Sequence, residues 1–179
     1  MRSILVVAFL AVAGCTTTKS ITPRAYLDEQ TAATITVVAD PWVFTRKDTA
    51  PQVDFFNLYA LDVNRMGDHK KYFAIVHYWP SAALTAGGAP KLVLSTTSRE
   101  VTLEPVAQTL REIGIAQPLD TAAPASAQTW LYPVDSTSLQ AIAQSRDLAA
   151  ALLTSKGGAE YAVWRDGSTE LSEFASSFD

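Results

Sequence analysis

Short apolar runs rich in β-branched and aromatic residues recur along this chain between turn signals, and only a few short stretches take a helical period. Residues 34–39 (TITVVA) are β-branched and stop at Asp40-Pro41, which predicts a first strand. Residues 53–64 (VDFFNLYALDVN) and 71–79 (KYFAIVHYW) carry stronger strand patterns on either side of Arg65-Met-Gly-Asp-His-Lys70, so they predict a hairpin. In the first of the pair, one phase holds Phe55, Asn57, Tyr59, Leu61 and Val63; the other holds Phe56, Leu58 and Ala60. Apolar residues on both phases predict a hairpin covered on both faces and central in its sheet.

The pattern continues through shorter pieces. Residues 80–90 read as a loop by Gly87-Gly88 and the flanking prolines, and 91–95 with 100–104 form a second hairpin. Residues 105–113 predict a short helix, with Pro105 at its first position, Val106, Leu110 and Ile113 on one face, and Gly114 past its end. Residues 116–128 are a Pro/Ala loop inside the domain, and 130–134 a strand. Asp135 or Ser136 then caps a helix bearing Leu139, Ile142 and Ala143. A third hairpin pairs 148–154 with 160–164 across Ser155–Gly158, and a last helix places Leu171, Phe174, Ala175 and Phe178 on one face. Strands and short helices without βαβ alternation predict an α+β domain, mainly antiparallel β: a sandwich-like sheet built from hairpins, with two or three short helices. The hairpins share no spacing or motif, so no repeat is implied.

The first fifteen residues follow a different pattern. Arg2 precedes an unbroken apolar run, 4–12, and Ala13 and Gly14 lead into Cys15, the only cysteine. A run of about nine residues falls far short of the ~20 that span a bilayer and has the form of a secretory leader. Val12-Ala13-Gly14-Cys15 resembles the lipobox of bacterial lipoproteins, which is cut before its cysteine by the lipoprotein signal peptidase. The resemblance implies a signal peptide over 1–14, cleavage between Gly14 and Cys15, and diacylglycerol and acyl chains on Cys15. More than one acyl chain makes attachment stable. Thr16 stands where an Asp often marks inner-membrane retention, which favours an outer-membrane anchor facing the periplasm. Residues 15–33 are expected to be the lipidated cysteine and a flexible tether reaching roughly 20–25 Å, and 34–179 a single globular domain.

Composition narrows the chemistry. Hydrophobic residues make up 48% and charged residues 18%, which is a globular balance. With 14 basic and 18 acidic side chains the net charge is −4, and no basic stripe supports nucleic-acid binding or adhesion to anionic lipid. Contact with the membrane is therefore expected through the lipid on Cys15. A cysteine committed to lipid leaves none for disulfides, thiolate zinc sites or a thiol nucleophile.

Candidate chemistry is sparse, and neither a cofactor nor a metal is expected. Asp62, Asn64 and Gly67 match parts of a calcium loop, but Met66 and Phe73 occupy positions that need oxygen ligands, so a hairpin turn is the better reading. His69 and His77 are the only histidines and fall too far apart along the hairpin to share one metal. No nucleophile elbow, HExxH, Walker or dinucleotide-binding motif occurs. Trp42, Trp79, Trp130 and Trp164 suit either a stacking platform for sugars such as peptidoglycan or, at strand ends, closure of the core. Arg65, Asp68 and His69 at the polar hairpin tip form the candidate contact surface.

Residues 40–79 resemble a stretch found in uncharacterised proteobacterial lipoproteins, a resemblance that carries no known activity. The expectation is a lipid-anchored, non-catalytic module that binds an envelope protein or peptidoglycan, or helps envelope assembly. An envelope hydrolase would need a histidine clustered with Ser or carboxylates in a cleft, and a small-lipid carrier would need a closed apolar cavity.

Overall fold

The computed structural model describes residues 21–48 and 54–178. The expected signal peptide over 1–14, its cleavage at Gly14 and the lipidation of Cys15 all fall outside the described residues. The fold is one sheet of ten antiparallel strands with three short helices. The strands are β1 (Arg24–Asp28), β2 (Ala33–Val37), β3 (Trp42–Arg46), β4 (Phe55–Arg65), β5 (Asp68–Tyr78), β6 (Lys91–Ser95), β7 (Glu100–Leu103), β8 (Gln128–Pro133), β9 (Ala149–Thr154) and β10 (Gly157–Arg165). The helices are α1 (Ala82–Ala86), α2 (Ser136–Ala143) and α3 (Ser168–Ser176).

The central hairpin organises the sheet. β4 pairs with β5 along its whole length, and its other edge is shared by β2 against Leu61–Asn64 and β3 against Phe55–Leu58. From β3 the sheet continues through β10, β9 and β6 to β7, while β8 extends it beyond β5. The two phases of β4 are buried as its pattern predicts: Phe56, Leu58, Tyr59, Ala60, Leu61 and Val63 are all 5% exposed or less. A two-residue turn, Met66-Gly67, joins β4 to β5 with both residues at positive φ (55° and 92°), the combination that matches strand twist. The turn is thus tighter than the 65–70 expected, and the calcium-loop spacing is accounted for by the hairpin.

Aromatic rings fill the inner face. Trp42 stacks on Phe44 at 5.8 Å, Phe44 on Phe56 at 5.0 Å, and Tyr161 meets Phe56 edge-on at 4.9 Å. Asp135 caps α2 by accepting from Ser138 N at 2.8 Å, and α2 and α3 pack together where Ser172 Oγ donates to Ala143 O. Leu139, Ile142, Leu171 and Phe174 are among their buried residues, on the faces that the periodicity predicts.

Four local expectations are corrected. Residues 24–28 form β1 against β2 and so belong to the sheet, although they were expected in the tether. Asp28, buried at the end of β1, accepts from the amides of Ala116, Gln30 and Thr31, and those bonds, Ala116 first, hold its carboxyl below the usual range. The expected loop 80–90 contains α1, and Trp42–Arg46 is an additional strand. Residues 105–109 are extended where a helix was expected, because Val106 N and Ala107 O bond the backbone of Leu131 on β8. That pairing outweighs local helix propensity.

Only a short 3-10 turn, Leu110–Ile113, survives of that helix, ended by Gly114 at φ +78°. A β-carbon there would sit on the guanidinium of Arg65, which donates to Ile113 O at 3.2 Å. Gly114→Ala is expected to lower stability by roughly 1–2 kcal/mol, chiefly from the left-handed backbone, as urea unfolding would measure.

Candidate functional site

A cleft of about 510 Å³ opens where the outer side of β8 faces the loop after α1. Three sequence segments build it. The first strand residues of β8 supply Gln128, Thr129 and Trp130; the extended segment bonded to β8 supplies Gln108 and Thr109; and Thr85 with Gly88 and Ala89 forms the opposite wall. Local bonds fix each wall. Ser155 Oγ donates to Gly87 O, tying the α1 loop to the β9–β10 turn, and Tyr132 OH donates to Pro90 O at 2.9 Å. Thr109 Oγ1 donates to Glu112 and sets the 3-10 turn beside Leu110.

The lining is entirely uncharged among the described residues: threonines, glutamines, small residues, Leu110 and the largely buried Trp130. The side-chain amides of Gln108 and Gln128 and the hydroxyl of Thr129 have no protein partner among the described residues. Its volume lies in the range of small-molecule sites, and an apolar wall with a few convergent polar groups is their usual composition.

Behind Trp130 lies a buried polar cluster. His77 stands opposite Gln128 across the β5–β8 pair, and its ring is 5.8 Å from that of Trp130. His77 Nε2–H donates to Asp54 Oδ1 at 2.6 Å, and Tyr161 OH donates to the same oxygen at 2.9 Å. Arg46 reaches the other carboxylate oxygen at 3.3 Å. Burial raises the Asp54 carboxyl, but His77, Tyr161 and Arg46 together outweigh it and hold the group below its ordinary value. Burial and the adjacent Asp54 push the Tyr161 hydroxyl strongly upward. His77 and Tyr161 are 0% exposed and Asp54 3%, so the cluster is sealed from the cleft. It clusters a histidine with a carboxylate, as a hydrolase would require, but within the core.

The outer face of the central hairpin carries a second polar group. Tyr78 OH donates to Asp120 Oδ2, and the Asn57 amide lies 3.4–3.5 Å from Tyr78, Tyr59 and Asp120. Burial, with Asp120 adding to it, pushes Tyr59 up to about 12. These bonds fasten the loop 116–127 to the sheet.

The residues singled out from the sequence are dispersed. Arg65 is occupied on Ile113 O, His69 Nδ1 lies 2.7 Å from the buried Asp62, and Asp68 pairs loosely with Lys70 at 3.7 Å. They share the hairpin tip but converge on no pocket, and Met66 is the fully exposed residue there. His69 and His77 belong to separate clusters. Trp42 and Trp130 are buried, while Trp79 and Trp164 are 53% and 60% exposed on the open surface. Among the described residues no group of three or more His, Cys, Asp or Glu could hold a metal. Gln108, Gln128 and Thr129 carry no sequence signal, since isolated neutral polar residues announce nothing until a fold gathers them. Comparisons of the chain with protein families, with curated proteins and with solved structures gave no match.

Proposed function

We propose that this protein is a lipid-anchored envelope protein, held through Cys15 at the periplasmic face of the outer membrane, whose domain is a non-catalytic binding module using the β8 cleft. The observation that carries the binding reading is the cleft itself: pre-formed walls, unspent carboxamides and hydroxyls, and no ionisable group to act as acid, base or nucleophile among its described lining residues. The anchor rests on the lipobox resemblance. A hydrolase is less well supported because His77 and Asp54 are enclosed behind Trp130. A lipid carrier is less well supported because Trp42, Phe44, Phe56, Tyr132 and Tyr161 fill the interior.

Two experiments test the two halves. Cys15→Ser is expected to abolish acyl labelling and move the protein out of the membrane fraction; membrane fractionation that persists without label would overturn the anchor. For the module, a photo-crosslinker at Gln108 is expected to trap a discrete envelope component in cells, and one at Met66 is not. An adduct from position 66 alone would move the contact face to the hairpin tip and overturn the cleft.

A further inference from the structure

We infer that the ligand of the β8 cleft is a short neutral saccharide, a deduction that rests on the cleft being the binding site proposed above. Charge is the first discriminator. None of the described lining residues is ionisable, so an anionic or cationic ligand would be desolvated there without a compensating partner. The polar complement is the second. Gln108, Gln128 and Thr129 offer two carboxamides and a hydroxyl, each both donor and acceptor. Hydroxyl groups, which also donate and accept, are matched by that set, and an acyl chain is not.

The strand edge separates saccharide from peptide. An extended peptide would be recognised by adding a strand to β8, which needs a run of open backbone groups. Leu131 already donates to Ala107 O at 3.0 Å and accepts from Val106 N at 2.8 Å, and Ala127 N donates to Pro124 O at 2.9 Å. Alternation along the strand turns the N–H and C=O of Thr129 to the same side as those of Leu131, away from β5 and toward the cleft. One residue's pair of backbone groups is therefore open, too short for strand addition yet well placed to bond a ligand hydroxyl. Leu110, Ala89 and Ala127 supply the apolar part of the lining, against which the C–H face of a sugar ring packs, while Trp130, 4% exposed, underlies the inner wall.

The test uses the full chain in a zwitterionic detergent, so that no sugar headgroup competes. Neutral N-acetylglucosamine oligomers, an acidic uronate oligomer and a blocked neutral tripeptide are titrated separately, with calorimetry and amide and indole NMR shifts as readouts. The neutral oligomers are expected to bind, with shifts at the Thr129 amide and Trp130 indole. Gln108→Ala with Gln128→Ala is expected to weaken binding at least tenfold, while the thermal transition stays that of the parent. Absence of saccharide binding at millimolar concentration, shifts confined to other surfaces, or an unchanged affinity in the double variant would each overturn the inference. Tripeptide binding at the Thr129 amide without saccharide binding would overturn the ligand class and leave the cleft as the binding site. Failure of every probe together with failure of the Gln108 crosslink would overturn both.

Discussion

Replacing Asp54 with alanine lowers the stability of the domain by about 3–5 kcal/mol, the expected effect of removing one partner from a buried charge cluster. His77 loses its acceptor, Tyr161 loses the same oxygen, and the half-buried Arg46 keeps only Asp48. The loss arises mainly from stranding those groups away from water, so the Asp54→Ala/His77→Ala double variant is expected to fall short of the summed single effects. Urea unfolding of the two single variants and the double variant measures that coupling. Strict additivity would mean that the pair makes no joint contribution.

The same carboxylate ties stability to pH. Its folded pKa is depressed below the unfolded value near 4. Its contribution is therefore complete above that unfolded value and is lost as pH falls through the lower, folded value. Asp28, Asp48 and Asp135 are shifted in the same direction, so the acid limb belongs to all four. The informative quantity is the difference between parent and Asp54→Asn, which is expected to shrink as pH falls below about 4. A difference that grows with acid would contradict the assignment.

Phe56→Ala is the second large effect, about 3–5 kcal/mol. Phe56 is fully buried on the central strand and touches Phe44, Tyr161 and His77 by ring contacts. Its removal leaves a cavity where β3, β4, β5 and β10 meet, with little room for the surrounding rings to collapse. For a domain of this size that corresponds to a fall of about 6–20 °C in the thermal transition, at ~2–4 °C per kcal/mol. A fall of under ~2 °C would place the cavity in a part of the core that repacks freely.

The two outcomes bear on the site through Trp130. Its ring packs against His77 and the residue, itself buried, belongs to the cleft's lining, so the polar cluster supports the cleft's inner wall. A chain weakened at Asp54 or Phe56 is thus expected to lose ligand binding with its fold. The Gln108 and Gln128 carboxamides line the cleft and have no hydrogen-bond partner among the described residues, which is why their variants are the cleaner probe.

Much of the fold was legible in the chain. The two-phase apolar pattern of 55–63, the periodic faces of α2 and α3 and the position of Gly67 each follow from local stereochemistry or from burial on a known period. Local signals misled where tertiary pairing decided the conformation. Residues 105–109 have a helical pattern, yet their backbone bonds β8; residues 24–28 sit in a largely polar stretch without a sustained period and look like tether, yet β2 offers them an open edge. The site was less legible than the fold. Asp54, His77 and Tyr161 are far apart in sequence, and a lone histidine in an apolar strand does not reveal its partner.

By itself the sequence determined the antiparallel class, the burial of both faces of the central hairpin, and, with a single cysteine, the absence of any disulfide within these residues. These depend on residue type, period and count, which are properties of the linear chain. The tertiary structure alone decided that β4 serves β2 and β3 on one edge, that His77 is sealed on Asp54, and that Gln108, Gln128 and Thr129 face one cleft. Each depends on which strand edges find each other. That choice is made by the packing of the whole core, so it cannot be read from any single segment.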